Sequence, residues 1–523
     1  MNFDIFALWN KKLDKNIKIC FISGIVVGLI THFYMLTNKM PNWDDATNLS
    51  AFGSGDYLGR WFLKYIHPLG SEHSMPAVHG FLMILFLTLS ACLVLEILDL
   101  KSTTAAILVP ALMVTFPSVA STMTFMFMAH TSGMAIFMMC LAVYLLRKYR
   151  FGWIVSIVLL ICSMGVYQSY ISIAIALMLM GMLKDILKDK DYKKIFLSGI
   201  LCVVVLLVAV LVYMKLCHII NPNMDNETYG GVGNMGKIPI QDMPVLFARC
   251  YKRLLEYFIW KPFAFMSKTM QICNICVCGL ACLLGGYLIW AKKLFKNIWN
   301  GLLFSILAFF MPLAVAFIYF MAPEVDYSML MLYAYVLIYV TVIMLWENAC
   351  ELCKEAKQSS TIYRLAQMCS VVVAVTMAVS CYSNYLISNE AYFRMDLSKQ
   401  RVASYFNRIL ANVEDQQGYV AGDAVTILGE FNFRDNPSVV VETDFVDTEI
   451  LREMSGVALE NGLLTSGVRD DFIETYVGFK MADINWSKKE DIMSSDIYID
   501  MPLYPAEGSI QKIDDIWVVK LCE

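Results

Sequence analysis

"KICFISGIVVGLITHFYMLTNKMPNWDDATN", residues 18–48, decides how the chain is read. Its first part belongs to an apolar run over 17–37, about twenty residues and long enough to cross a bilayer core of about 30 Å. Asp44 and Asp45 follow within a few residues. Carboxylates so close to hydrocarbon are costly to desolvate, so their presence there raises a question of function. Two adjacent Asp residues on an extended or helical segment point different ways, so one can act while the other holds a cation or an amide. The stretch DDATN also suits a solvated helix start.

Ten further runs of the same kind bring the expected spans to eleven, near 17–37, 76–98, 103–119, 129–147, 151–167, 170–184, 195–217, 270–291, 300–321, 328–346 and 366–387. Composition agrees. Of 523 residues 58% are hydrophobic and 16% charged, against about 25% charged in soluble domains. Mean hydropathy is +0.59. The N-terminal stretch does not read as a cleavable signal peptide, because the first apolar run is too long and lacks a small-residue cleavage site.

Charge divides the chain. Residues 388–523 carry 12 basic and 25 acidic side chains, leaving 29 and 20 for residues 1–387. The expectation is a membrane region over 1–387 joined to a soluble α/β domain over 388–523. In that tail Leu397, Val402, Phe406, Ile409, Leu410 and Val413 follow helical spacing, while 424–429, 438–441 and 516–521 read as short strands. The acidity of the tail and the scatter of basic residues elsewhere exclude nucleic-acid binding by charge. Lys and Arg collect in alternate loops, around 11–18, 147–150, 184–194, 292–296 and 354–364, which assigns those loops and the N-terminus to the cytoplasm. An odd number of spans then puts the tail outside, in a multi-pass protein of the cell membrane.

The 16 cysteines lie mostly in apolar runs, and Cys273, Cys276 and Cys278 read as helix packing. All six histidines fall near the outside face, at spacings that match no zinc motif. Chemistry therefore points to the outside loops. The first, near 38–75, contains Trp43, Asp44, Asp45, Tyr57, Arg60 and Trp61. A carboxylate at this depth can serve as a base for a hydroxyl, and the planar fork of Arg60 suits phosphate oxygens. The second, near 218–269, holds Arg249, Lys252 and Arg253 in a stretch with the composition of an interfacial amphipathic helix; all three are phosphate candidates. His130 and the turn Tyr167, Gln168 and Tyr170 can line a sugar-sized cleft by hydrogen bonding and stacking.

A first span ending in "HFYMLTNKMPNWDD", then "GRW", then "YQSY", with "MPLYPAEGSIQKIDDIWVVKL" at the end, resembles the glucosyltransferase II family of membrane glycosyltransferases. The resemblance implies an α-helical polytopic membrane protein of GT-C-like fold, whose first external loop carries an acidic catalytic residue. It implies a polyprenyl-phosphate-linked sugar donor, a glycan acceptor at the cell surface, and a donor synthase and flippase as partners. Asp44 or Asp45 matches the acidic position, and Arg60 with Trp61 falls in the same loop. No cofactor is expected: "WDD" is followed by no obvious further carboxylate cluster, which argues against a required divalent ion. Three rivals stand beside this reading, one of them a structural scaffold for polysaccharide assembly with an inert first loop. An O-antigen polymerase or ligase would use Arg and His in large outside loops. A flippase or transporter would show ionisable residues or broken helices near mid-bilayer, and few charges lie inside the spans.

Overall fold

Each apolar run folds as helix, which satisfies every backbone N–H and C=O without water. The structure is a computed structural model, and it describes residues 14–48, 55–223, 239–260, 263–323, 328–355, 360–429, 451, 453–454, 456 and 463–521. In chain order the helices include α1 (Lys15–Thr37), α2 (Trp43–Thr47), α3 (Pro76–Leu98), α4 (Thr103–Thr115), α5 (Pro117–Met123), α6 (Ala129–Lys148), α7 (Gly152–Met164) and α8 (Ile171–Leu187). They continue as α9 (Tyr192–Ile220), α10 (Met243–Leu255), α11 (Lys268–Ala291), α12 (Ile298–Val315), α13 (Val336–Glu355), α14 (Ser360–Glu414) and α15 (Ser466–Phe472). Among the described residues nine helices are long and apolar enough to cross a membrane, and α4 with α5 forms a tenth, bent by 42°. The chain is a polytopic helical membrane protein.

The departures from eleven uniform spans have local causes. The bend falls at Pro117, and Phe116 before it is extended at φ −56°, ψ 137°, as a residue preceding proline prefers. The expected span at 151–167 is the 13-residue α7, a rise of about 20 Å. Ser156 Oγ donates to the Ala142 carbonyl (2.6 Å) and Ser163 Oγ to that of Ala135 (2.8 Å), so α7 runs antiparallel to α6 and the alternation of ends is kept. Helices α1 and α3 pack closely, because a Cβ on Gly28 would stand 2.6 Å from Ile84 Cγ2. His32 ties α1 to two other helices, with Nδ1 at 2.7 Å from Tyr392 Oη and Nε2 at 2.8 Å from the Val114 carbonyl.

The last span differs most from expectation. Helix α14 is continuous over 55 residues and passes through the expected boundary at 387/388. Its length is about 80 Å, well beyond the ~30 Å of hydrocarbon. Its C-terminal part buries Val402, Phe406, Ile409 and Val413, which lie in one apolar cluster with Met454, Phe472 and the membrane helices. The tail is thus packed on the bundle. It carries a three-stranded sheet of order β1-β3-β2, with β1 (Ala424–Leu428), β2 (Ile510–Ile513) and β3 (Ile516–Lys520). Strand β1 pairs parallel with β3, Ala424 opposite Ile516, and β2 pairs antiparallel. The two residues between β2 and β3, Asp514 and Asp515, both have positive φ, as the two-residue turn matching strand twist requires. Arg469, fully buried, donates to the carbonyls of Ile427 and Gly429 at the end of β1. The expected strand at 438–441 lies outside the described residues.

Candidate active site

The first loop begins where α1 ends, and Asn42 caps the single turn of α2 by accepting the Asp45 N–H at 2.8 Å. On a helical turn successive side chains are about 100° apart, and the two carboxylates diverge accordingly. Asp45 points inward and is fully buried. It forms an ion pair with Lys39 Nζ and accepts hydrogen bonds from Ser74 Oγ and, at 2.9 Å, from the Phe127 N–H. Lys39 also donates to Ser74 Oγ at 2.7 Å. Burial lowers the ammonium's pKa, and the Asp45 charge opposes that shift. Asp45 is a clamp between the loop, the start of α3 and the turn before α6.

Asp44 points the other way. It is half-buried, and its carboxylate has no hydrogen-bond partner among the described residues. Burial raises its pKa above the usual carboxylate value, the Arg60 guanidinium pulls it down, and the Asp45 charge pushes it up. Arg60 lies with its guanidinium 4.8 Å from the centre of the Tyr167 ring, a cation–π geometry. Its Nε is buried, without a hydrogen-bond partner among the described residues. The turn that presents it is built from "GDYLGRW": Gly59 adopts φ 74°, a left-handed conformation that side chains resist, and the Arg60 N–H returns to the Gly55 carbonyl at 2.8 Å.

That turn is clamped from the membrane helices. Gln168 Nε2 donates to the Leu58 carbonyl (2.6 Å) and to Tyr213 Oη (2.9 Å), and Tyr213 Oη donates to the Gly59 carbonyl (3.0 Å). The Phe62 N–H donates to the Gly165 carbonyl at 2.8 Å. Tyr170 is buried, 5.2 Å ring to ring from Tyr167. Trp61 packs edge-on against Phe62 at 5.5 Å, and Trp43 edge-on against Phe125 at 5.9 Å. The structure therefore brings together Asp44, Arg60, Tyr167, Gln168 and Tyr170. The Tyr57 side chain lies outside the described residues.

The remaining expected residues sit elsewhere. His130 is buried inside a histidine trio, its ring 4.3 Å from that of His79 and 5.4 Å from that of His67. Its Nε2–H donates to the His67 carbonyl at 3.0 Å, so it supports the loop from beneath rather than lining a cleft. His79 accepts the Ser71 N–H at Nε2 and donates from Nδ1 to the Met126 carbonyl, both at 3.1 Å, which fixes a neutral tautomer. Burial and the neighbouring His79 lower the pKa of His67. Arg249, Lys252 and Arg253 lie on α10, which buries Leu246, Cys250 and Leu254 along one stripe. Arg249 donates to the Pro323 carbonyl (2.7 Å), while Arg253 (3.0 Å) and Lys252 (4.0 Å) pair with Glu256. No described hydrogen bond or ion pair joins these three to Asp44 or Arg60.

The tail contributes side chains that no motif announced. Lys399 Nζ donates to the Lys39 carbonyl at 2.9 Å and lies 5.0 Å from the centre of the Tyr476 ring. Tyr476 is coupled electrostatically to Asp45, and burial first and that charge second raise its phenol pKa. Gly456 rests on the loop so closely that a Cβ there would stand 2.1 Å from Thr124 Oγ1 and 3.0 Å from Asn42 Nδ2. Lys39, six residues before Asp45, had a readable signal in its proximity; Tyr213, Lys399 and Tyr476 had none. Among the described residues no group of three or more His, Cys, Asp and Glu is arranged to hold a metal ion.

The fold defines a helical, multi-span membrane protein whose first loop sets Asp44 within electrostatic reach of Arg60. Residues 33–346 match the family described as glucosyl transferase GtrII, and the chain belongs to that family. It is a membrane glucosyltransferase by that membership. The matched region takes in the whole first loop and both Asp residues, and it ends within α13. No curated protein and no solved structure matches the chain.

Proposed function

We propose that the protein transfers glucose or a related hexose from a polyprenyl-phosphate donor to a cell-surface polysaccharide, on the outer face of the cell membrane. The observation that carries this reading is the Asp44 carboxylate, without a hydrogen-bond partner among the described residues and within electrostatic reach of Arg60. Asp44 takes the proton of the acceptor hydroxyl, whose oxygen attacks the anomeric carbon; the bond from that carbon to the lipid phosphate breaks, and the phosphate leaves with the electron pair. Arg60 faces the departing phosphate and stabilises its growing charge. Asp45 holds the loop. Tyr167 packs against the Arg60 guanidinium, Tyr170 is buried behind that ring and supports it, and Gln168 positions the Arg60 turn. Lys252 and Arg253, exposed on the interfacial helix α10, meet lipid headgroup phosphates instead of the reacting one. The asymmetry of Lys and Arg between loops supports a cytoplasmic N-terminus and an extracytoplasmic tail.

The test is transfer by the purified protein from polyprenyl-phosphate-glucose, run beside nucleotide-linked glucose, with surface polysaccharides as acceptors. Transfer from the lipid-linked donor alone is the expected result. Transfer from the nucleotide sugar alone would remove the donor assignment.

A further inference from the structure

At the opposite end of the bundle from Asp44, the C-terminal ends of α3, α6 and α8 line an open cavity of about 300 Å³. Its wall carries five cations, Arg147, Lys148, Lys184, Lys188 and Lys190, against three carboxylates, Glu96, Asp99 and Asp185. The carboxylates are engaged. Asp185 pairs with Arg147 (3.1 Å) and Lys190 (2.8 Å), Glu96 with Lys148 (3.5 Å), and Asp99 with Lys188. Lys184 is left over. It is 1% exposed, and its Nζ has no hydrogen-bond partner among the described residues. Glu347 and Glu351 attract it and Lys101 repels it. The Glu347 carboxylate is already occupied by the N–H groups of Lys101 (2.6 Å) and Ser102 (3.0 Å). A buried ammonium without a hydrogen-bonded partner is costly to keep.

A phosphate group would remove that cost. Its oxygens accept charge-assisted hydrogen bonds from several cations at once, and the wall has positive charge in excess. Basic pockets between membrane helices at the cytoplasmic side suit lipid phosphates in particular. We propose that this cavity is a phosphate-binding site, separate from the sugar-transfer site, in which Lys184 and Lys188 hold the anion. Its occupant is either the headgroup of an anionic phospholipid in the adjacent leaflet or a soluble phosphate.

The experiment uses the full-length protein in neutral detergent and follows thermal unfolding. Dioleoyl phosphatidylglycerol is titrated in mixed micelles against phosphatidylcholine, and inorganic phosphate against chloride at equal ionic strength. Wild type is expected to show a saturable rise in unfolding temperature with phosphatidylglycerol, with phosphate, or with both, and the pattern identifies the source. In Lys184→Met the apparent affinity is expected to fall about tenfold, the loss of one charge-assisted hydrogen bond, while the protein without anion unfolds no lower than wild type. Lys188→Gln, at a position one-third exposed, is expected to weaken the response without disturbing the fold. The proposal is overturned if neither anion stabilises wild type saturably, or if wild type and both variants respond alike.

Discussion

A carboxylate that is to take a proton needs a lone pair free to face the acceptor. Among the described residues nothing occupies the Asp44 carboxylate, whereas both oxygens of Asp45 are occupied by Lys39, Ser74 and the Phe127 N–H. Asp45→Asn is therefore expected to act on stability, costing on the order of 3 kcal/mol by leaving Lys39 without its partner in a largely buried pair, as denaturant unfolding in detergent would measure. Burial holds the Asp44 pKa above the ordinary carboxylate value of about 3.9, and activity needs the deprotonated form, so transfer should fall as pH drops through that raised value. Arg60 pulls the same pKa down. Arg60→Ala should accordingly move the acidic limb of the pH–rate profile to higher pH, besides weakening donor use. An acidic limb that stays in place would show that the two groups do not interact. The choice between the two Asp residues was not legible in the sequence, because the groups that occupy Asp45 come from Lys39, Ser74 and Phe127, the last 82 positions away.

At the scale of elements, the apolar runs were readable because hydrocarbon thickness fixes their length and helix is the only local solution. The breaks were less so. Pro117 marks its bend by chemistry, whereas α7 ends at Met164 and the turn that follows it holds the Arg60 loop through the Gly165 carbonyl and Gln168. Tyr213 lies within the apolar run of α9, and nothing in the sequence tied it to Gly59. Tyr213→Phe removes its hydrogen bond to the Gly59 carbonyl, at about 1 kcal/mol of stability. Because Arg60 follows Gly59 directly, the larger expected effect is a raised KM for the lipid-linked donor with a smaller change in kcat. An unchanged KM would mean that the turn holds its shape without this clamp. The stripe of α10 was legible from spacing; the use of its cations in local pairs with Glu256 and Pro323 was not.

Over the whole molecule, helix α14 carries the tail out of the membrane and lays it back on the first loop. Composition revealed that the tail is acidic, but a charge balance does not say where a segment packs. The helix continues through 387/388 because one helical surface can pass from apolar to aqueous surroundings without a break in its backbone bonds. Gly456, at φ 85°, leaves no room for a Cβ against Thr124 and Asn42. Gly456→Val is expected to push the tail off the loop and raise the KM for the acceptor, checked by kinetics at saturating donor; wild-type kinetics would detach the tail from acceptor use.

The central claim is that Asp44 is the base and Asp45 the clamp. The measurement that tests it most directly is sugar transfer from polyprenyl-phosphate-glucose by Asp44→Asn and by wild type, with unfolding temperatures taken on the same preparations. Loss of about 10²–10⁴-fold in kcat, with the unfolding temperature at or above that of wild type, is the expected result. Transfer at the wild-type rate by a folded Asp44→Asn protein would contradict it.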